Sequence, residues 1–398
     1  MEQTEKSRMD FICFGGEDWW YHNRGHIDMQ LMRRFAKLGT TLYINSIVMQ
    51  RPSLRKGGMF FKRLTRKIKS IFAGLKMSDA GFWVYSPFSM PVHHLRWLRP
   101  VNRLLLQLQI CLVSKKLGIK KPIVWVACPA ACDVARNMKK QKLVYQRTDR
   151  FEDYPNIDKK TIIEYDHALK AEADLTIFVN NTLYNEEENQ CKKAIYLDHG
   201  VDFDMFASAE NDKSIPDDMK GIAKPVVGFF GDIDEQTTDT EMIDRITELL
   251  PRMNFVFLGK ASVDCSGILS KKNVWMLGHK PYEQVPHYGK CFDVCIMPWK
   301  QNRWIQACNP IKLKEYLALG KPVVSTPFPE LQKYLDVVYQ AGNRQEFVKC
   351  IEKALASDSS EKITARRDKV KTATWDFKAQ LVYEILFERT DDDKQEEE

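Results

Sequence analysis

The chain has 398 residues, 44% of them hydrophobic and 28% charged, and a formal net charge of +7. That length exceeds one ordinary domain, and that composition excludes disorder throughout, so two domains with separate cores are expected. No run of about 20 apolar residues suggests a spanning helix, and the opening MEQTEKSRMDF lacks the basic-then-apolar shape of a secretory signal, so a cytoplasmic location is expected.

In chain order, apolar strands are predicted at Asp10–Phe14, Thr41–Asn45, Phe82–Ser86, Pro122–Ala127, Lys142–Tyr145, Leu175–Val179 and Ala194–Leu197. Helical spacing of apolar residues falls between them, as at Ile27–Leu38 and Thr161–Ala173. A polar, apolar-poor run within Gly200–Ile222 reads as the junction between domains. The same grammar then repeats. Strands are predicted at Pro225–Phe230, Asn254–Leu258, Val274–Leu277, Phe292–Met297 and Pro322–Ser325. Helices are predicted at Glu241–Leu250, Tyr282–Tyr288, Ile311–Leu319, Arg344–Ala356 and Trp375–Glu388. Short apolar strands alternating with amphipathic helices imply an α/β fold, with parallel sheets covered on both faces. The tail Asp391–Glu398 is acidic and is expected to be solvated and mobile.

Charge is unevenly distributed. Between Gln30 and Asp133 stand 19 Lys or Arg and a single acid, Asp79. Within Arg51–Lys76, the apolar residues Phe60, Leu64, Ile68, Ile71, Phe72 and Leu75 recur at helical spacing, while Lys62, Arg63, Arg66, Lys67 and Lys69 take the other face. A basic amphipathic helix of this kind suits an anionic membrane surface; a domain helix packed inward is the alternative. Nucleic acid is not expected, since no binding module is recognisable. Leu98, Val101, Leu105, Leu108 and Leu112 form a second apolar stripe, expected to face the core. Among the ten cysteines two pairs have CxxxC spacing, but no CxxC pair or nearby His completes a zinc site, and they read as reduced, mostly buried thiols.

Chemistry concentrates in Asn309–Thr326, NPIKLKEYLALGKPVVST. Asn309 is expected to cap a helix with Pro310 in its first turn. Lys312 then lies near the helix start, where backbone N–H groups and the macrodipole favour an anion. Glu315, one turn on, can accept hydrogen bonds from sugar hydroxyls. An ordinary surface helix is the alternative.

This segment resembles the donor-site signature of GT-B glycosyltransferases, which use nucleotide sugars. LGHKPYEQVPHY (Leu277–Tyr288), VCIMPW and KLKEYLALGKPVVST follow in the order and spacing that the superfamily shows. DHGVDFDMF (Asp198–Phe206) is similar to its inter-domain junction and VVGFFGDID (Val226–Asp234) to its first donor-domain strand. The resemblance implies two Rossmann-like domains facing across a cleft. It implies an N-terminal acceptor domain (residues 1–205), a donor domain (206–373), a helix crossing back to the first domain (374–390) and the acidic tail (391–398). It implies that Glu315 binds ribose and Lys312 the diphosphate, that Gly231 and Asp232 approach the phosphates, and that His279, Tyr282 and Val285 lie near the base, with Asn309 at the helix start. Many retaining members carry an acid eight positions before the ribose glutamate. Here that position is Ala307, which favours an inverting mechanism.

An inverting transferase needs a base for the acceptor hydroxyl. Asp149, in YQRTDRFEDY after a predicted strand, is the leading candidate. Asp153, Asp18 and His22 are rivals, and a carboxylate merely paired with Arg147 or Arg150 is the alternative. The loop GGEDWWYHNRGH resembles the opening of cell-surface polysaccharide glycosyltransferases. There Gly15 and Gly16 would allow close backbone approach, Trp19 would stack on sugar, and Arg24 and His26 would complete an acceptor-side loop. Asp-x-Asp occurs at Asp202–Asp204 and Asp232–Asp234, but the resemblance implies no catalytic metal and no cofactor beyond the nucleotide sugar, so activity insensitive to chelators is expected. The implied acceptor is a lipid-linked saccharide or polysaccharide of a bacterial surface, reached from the inner face of the plasma membrane. A GT-B-fold nucleotide-sugar 2-epimerase and a non-catalytic scaffold are the competing functions.

Overall fold

The computed structural model describes residues 8–21, 25–47, 65–66, 68–90, 95, 97–154 and 156–387. The chain divides into two compact units, one running to Asp198 and resuming at Lys378, the other His199–Phe377.

The first unit is built on β1 (Phe11–Phe14), β2 (Thr41–Ile44), β3 (Leu75–Met77), β4 (Trp83–Tyr85), β5 (Ile123–Val126), β6 (Lys142–Arg147), β7 (Leu175–Phe178) and β8 (Ala194–Tyr196). Among the described residues they form one sheet in the order β3-β4-β2-β1-β5-β6-β7-β8. All pairings are parallel except β3 with β4. The central strands β1, β2, β5 and β7 are buried along their whole length. That is why they read as continuous apolar runs: helices shield both faces of a parallel sheet, so no alternation with polar residues is needed. The order reverses between β1 and β5, and such a switch point leaves a crevice beyond the carboxyl ends of the strands.

The short edge strand β3 is not anticipated by the sequence. It takes Leu75 out of the predicted basic helix; of that segment, residues 65–66 and 68–73 are helical, while 51–64 and Lys67 lie outside the described residues. Lys62 and Arg63 therefore have no structural description, nor do His22, Arg24 and the acidic tail. The helix Arg99–Lys116 corrects a further expectation. Its inward face is Asn102, Leu106 and Ile110, whereas Val101, Leu108 and Leu112 are exposed and Leu98 and Leu105 only half-buried. Periodicity located a stripe but cannot say which of two apolar sides meets the sheet.

The second unit carries β9 (Val226–Phe230), β10 (Asn254–Leu258), β11 (Val274–Gly278), β12 (Val294–Met297), β13 (Val323–Ser325) and β14 (Tyr339–Gln340). They form a wholly parallel sheet in the order β11-β10-β9-β12-β13-β14. Here the order reverses between β9 and β12. The helix Ile311–Ala318 follows β12 and packs Leu313, Tyr316 and Leu317 into the core. Tyr316 ties this helix to the sheet, since its Oη accepts from Phe230 N–H at the end of β9 (2.9 Å) and its ring lies 4.3 Å from that of Phe230. Tyr316→Phe strands a buried N–H and is expected to cost about 1–3 kcal/mol, measured as a lower urea midpoint with an unchanged slope.

The last helix, Trp375–Phe387, joins the two units in sequence. Trp375 is fully buried in the second unit, against Gly200, where a Cβ would collide with its ring. From Lys378 onward the helix belongs to the first unit: Lys378 pairs with Asp198, and Lys142 Nζ donates to Leu386 O at 2.7 Å. Among the described residues, no helix is long and apolar enough to cross a membrane.

Candidate functional site

In the second unit, Lys312, Glu315, Tyr282, Gly231, Phe229, Trp299 and Asp202 converge beyond the ends of β9 and β12. Gly231 leaves β9 with φ +132°, a conformation that L side chains rarely adopt. A Cβ there would run into Lys312 Nζ. The Lys312 ammonium lies 4.4 Å from the Phe229 ring centroid and 5.8 Å from that of Trp299, within cation–π range. Burial pushes the Lys312 pKa below its usual range, against the pull of Asp234, Glu315 and Asp232. A half-buried cation at a helix start, held by two aromatic faces, is poised to gain from a bound anion.

Glu315 is 6% exposed. Burial drives its carboxyl up to about 8, with Tyr282 and Lys312 pulling the other way and Asp202 adding to the rise. Tyr282 Oη lies beside the carboxylates of Glu315 and Asp202 but, like Trp299 Nε1, makes no hydrogen bond of normal geometry among the described residues. Buried donors are rarely left unsatisfied, and two flanking one Lys and one Glu suit a polar ligand.

The structure revises several details of the sequence reading. The N-cap residue of the helix is Pro310, which offers no side-chain acceptor, so Asn309 stands one position further out. Asp234 holds its own loop, and Asp232 holds the loop after β10. Asp232 Oδ1 accepts from Lys260 N–H (2.9 Å), and Asp234 accepts from the Gln236 and Thr237 N–H groups and the Thr237 hydroxyl. Val285 is buried in the core, and His279 is exposed beyond β11. Ala307, eight positions before Glu315, is buried. Phe229 and Trp299 were missed and Asp202 was read only as part of Asp-x-Asp; only their place at strand ends or at the domain junction marks them in sequence.

In the first unit, Asp149 follows β6 and is half-buried. The pairing alternative fails there. Arg147, fully buried, is taken by Glu152 (2.9 Å), Glu187 (3.1 Å) and Asp166 (3.3 Å), and Lys170 closes the network through Asp166 and Glu187. Arg150 pairs with Glu186. Among the described residues, the Asp149 carboxylate has no hydrogen-bond or ion-pair partner. Burial raises its pKa to about 6, Arg147 opposes this, and Glu17 adds to it. Glu17, after β1, is a second carboxylate that the sequence reading passed over.

The two carboxylate rivals are engaged elsewhere. Asp18 accepts from Trp20 N–H (3.0 Å) and Ser70 Oγ (2.8 Å), and Asp153 pairs with Lys159. Trp19 is fully buried against Phe82 and Tyr43, so it offers no face to a sugar, a correction to the proposed stacking. Gly15 packs against Tyr43 and Gly16 N–H donates to buried Asp28 (2.9 Å), so this part of the loop is tied inward. His26 precedes the helix Ile27–Phe35 without capping it by its side chain.

Residues 224–357 match the family model Glycosyl transferases group 1. The chain is 32% identical over 195 residues to TuaH of Bacillus subtilis (strain 168), a protein assigned to teichuronic acid biosynthesis as a glycosyltransferase, the match covering 46% of this chain and 48% of TuaH. The match thus spans about half the length of that relative. Among solved structures, sucrose-phosphate synthase from Thermosynechococcus elongatus aligns with a TM-score of 0.72 at 13% identity, over 96% of this chain and 100% of that one. The Anabaena protein HepE in complex with UDP-glucose aligns at 0.65 and 13%, with the same coverages. These likenesses establish the GT-B fold.

Proposed function

We propose, from the premise that this is a GT-B protein carrying a group 1 glycosyltransferase domain, that it transfers a sugar from a nucleotide-sugar donor to a lipid-linked saccharide or polysaccharide acceptor in surface polysaccharide synthesis, working at the inner membrane face. The observation that carries the donor reading is the meeting of Lys312 and Glu315 at one helix start beside Gly231. Lys312 and the helix N-terminus meet the diphosphate, and Glu315 accepts from the ribose hydroxyls. UDP is favoured over GDP because HepE holds UDP-glucose, and TuaH lends support to a polysaccharide product.

Departure of the nucleoside diphosphate leaves charge that Lys312 is placed to stabilise. Asp234 is held by its own loop, and Asp232 accepts from Lys260 in the loop after β10, so that charge is assigned to Lys312 and the helix rather than to a metal. Asp149 is the group assigned to take the acceptor proton, and buried Ala307 accords with an inverting course.

A thermal-shift screen of UDP- and GDP-sugars tests the donor assignment, because a ligand bound only by the folded chain raises Tm. UDP-sugars are expected to raise it most. Lys312→Met is expected to weaken UDP-sugar affinity about tenfold, the loss of one charge-assisted contact. Absence of stabilisation by any nucleotide sugar would overturn the reading, and epimerised donor released without acceptor would replace transfer with epimerisation.

A further inference from the structure

We propose that the outward face of the helix Arg99–Lys116, with Trp97 before it, is a docking surface for an anionic lipid bilayer. Its value to the enzyme rests on the reading that the acceptor is lipid-linked, although its test does not. Trp97, Val101, Leu104, Leu108 and Leu112 are 74%, 55%, 57%, 56% and 67% exposed. Their spacing of three and four residues sets them in one file along a helix of 18 residues, roughly 27 Å long. The opposite side, Asn102, Leu106 and Ile110, is already buried. A helix apolar on two sides is covered on two sides in its working state, and large apolar side chains in a continuous exposed file mark an interaction surface. Phe88, also exposed, is clamped beside this helix: Gln109 accepts from Phe88 N–H and donates to Phe88 O, each at 2.9 Å.

Charge selects the occupant. From Ala80 to Cys132 the chain has seven Lys or Arg and no Asp or Glu. Lys115, Lys116, Lys120 and Lys121 are exposed at the carboxyl end of the helix. A second copy of the chain would set this patch against itself, cation on cation with no acid in the segment to offset them. An anionic bilayer satisfies both features. The apolar file enters the acyl boundary, the lysines meet the headgroups, and Trp97 sits at the interfacial depth that tryptophan favours. The basic segment predicted from sequence as a membrane anchor is a different part of the chain; of it, the described helical residues Ile68 and Phe72 are exposed as well.

Sedimentation of the full chain with vesicles of phosphatidylglycerol and phosphatidylcholine in equal parts tests this. Wild type is expected to sediment at low salt and to be released as salt rises. The double variant Leu108→Glu/Leu112→Glu is expected to lower the bound-to-free ratio about tenfold or more, and Lys115→Glu/Lys116→Glu to lower it on anionic vesicles but not on pure phosphatidylcholine. Both variants should keep the Tm rise given by a UDP-sugar, which shows that they are folded. Variants that sediment as wild type, or a wild type indifferent to vesicles, overturn the proposal and leave the donor site untouched. A wild-type dimer that Leu108→Glu/Leu112→Glu dissociates overturns it in favour of self-association. Loss of the UDP-sugar response in the wild type, with vesicle binding intact, counts against the donor reading instead.

Discussion

Glu315→Gln is expected to reduce kcat/KM by about a hundredfold or more while making the unliganded protein more stable at pH 8. The two effects share one cause. Burial raises the Glu315 pKa from 4.5 to about 8, so its ionised form is unfavourable until a ligand meets it. The sign for stability follows from proton counting. Between pH 4.5 and 8 the unfolded chain has released this proton and the folded chain still holds it, so stability falls as pH rises through that window. The Gln variant lacks that loss, and its gain should grow from near zero at pH 4.5 to on the order of 2–4 kcal/mol at pH 8. For activity, ribose hydroxyls donating to a carboxylate contribute roughly 1.5–3 kcal/mol each, and an amide replaces only one of the two acceptor oxygens. The bound state favours the carboxylate, so donor affinity should tighten from pH 6 to 8 in the wild type. A UDP-sugar is the right probe, because its diphosphate does not titrate in that range. Calorimetric titration across those pH values checks this. If the variant binds as tightly as wild type with the same pH dependence, Glu315 is not the ribose ligand.

The helix assigned to the donor is legible in sequence because its residues are local. Pro310, Lys312, Glu315 and Gly320 lie within one turn-and-helix segment, and their spacing alone places a cation and a carboxylate near a helix start. What surrounds them is not local. Phe229 and Trp299 reach Lys312 from the ends of two other strands, and Asp202 comes from the junction. A linear reading also cannot decide which partner a charge chooses. Arg147 stands two residues from Asp149, yet it pairs with Glu152, Asp166 and Glu187, the last 40 residues away. The same blindness turned the helix Arg99–Lys116 inside out, because its two apolar sides give one periodic signal. The two-residue edge strand β14 and the three-residue β3 escape for another reason: at that length, register in the sheet, not propensity, decides the conformation.

Asp149→Asn is expected to lower kcat by about 10²–10⁴, the range that loss of a general base commands, with little change in UDP-sugar affinity, since the residues assigned to the donor all belong to the second unit. The case rests on what Arg147 and Arg150 do not do. With both guanidinium groups committed to glutamates and Asp166, the Asp149 carboxylate is left without a partner among the described residues. Burial then sets its pKa at about 6 rather than 3.8, close enough to neutrality for a base that must both take and yield a proton. Its working form is the carboxylate, so kcat/KM in the wild type should climb as pH rises through about 6 and level off above it. Stability has the opposite slope. The unfolded chain releases this proton from pH 3.8 and the folded chain near 6, so the folded state loses stability across that interval, and the Asn variant should be the more stable protein at pH 7. Glu17 provides an internal control. Its charge raises the Asp149 pKa, so Glu17→Gln should move the midpoint of the pH–rate curve to lower pH and leave the plateau largely intact, whereas a purely structural role would lower the plateau without moving the midpoint. Transfer rates for wild type and both variants between pH 5 and 8 decide the matter. An Asn variant retaining more than about a tenth of wild-type kcat would remove Asp149 from the chemistry and return the assignment to the other carboxylates of the first unit.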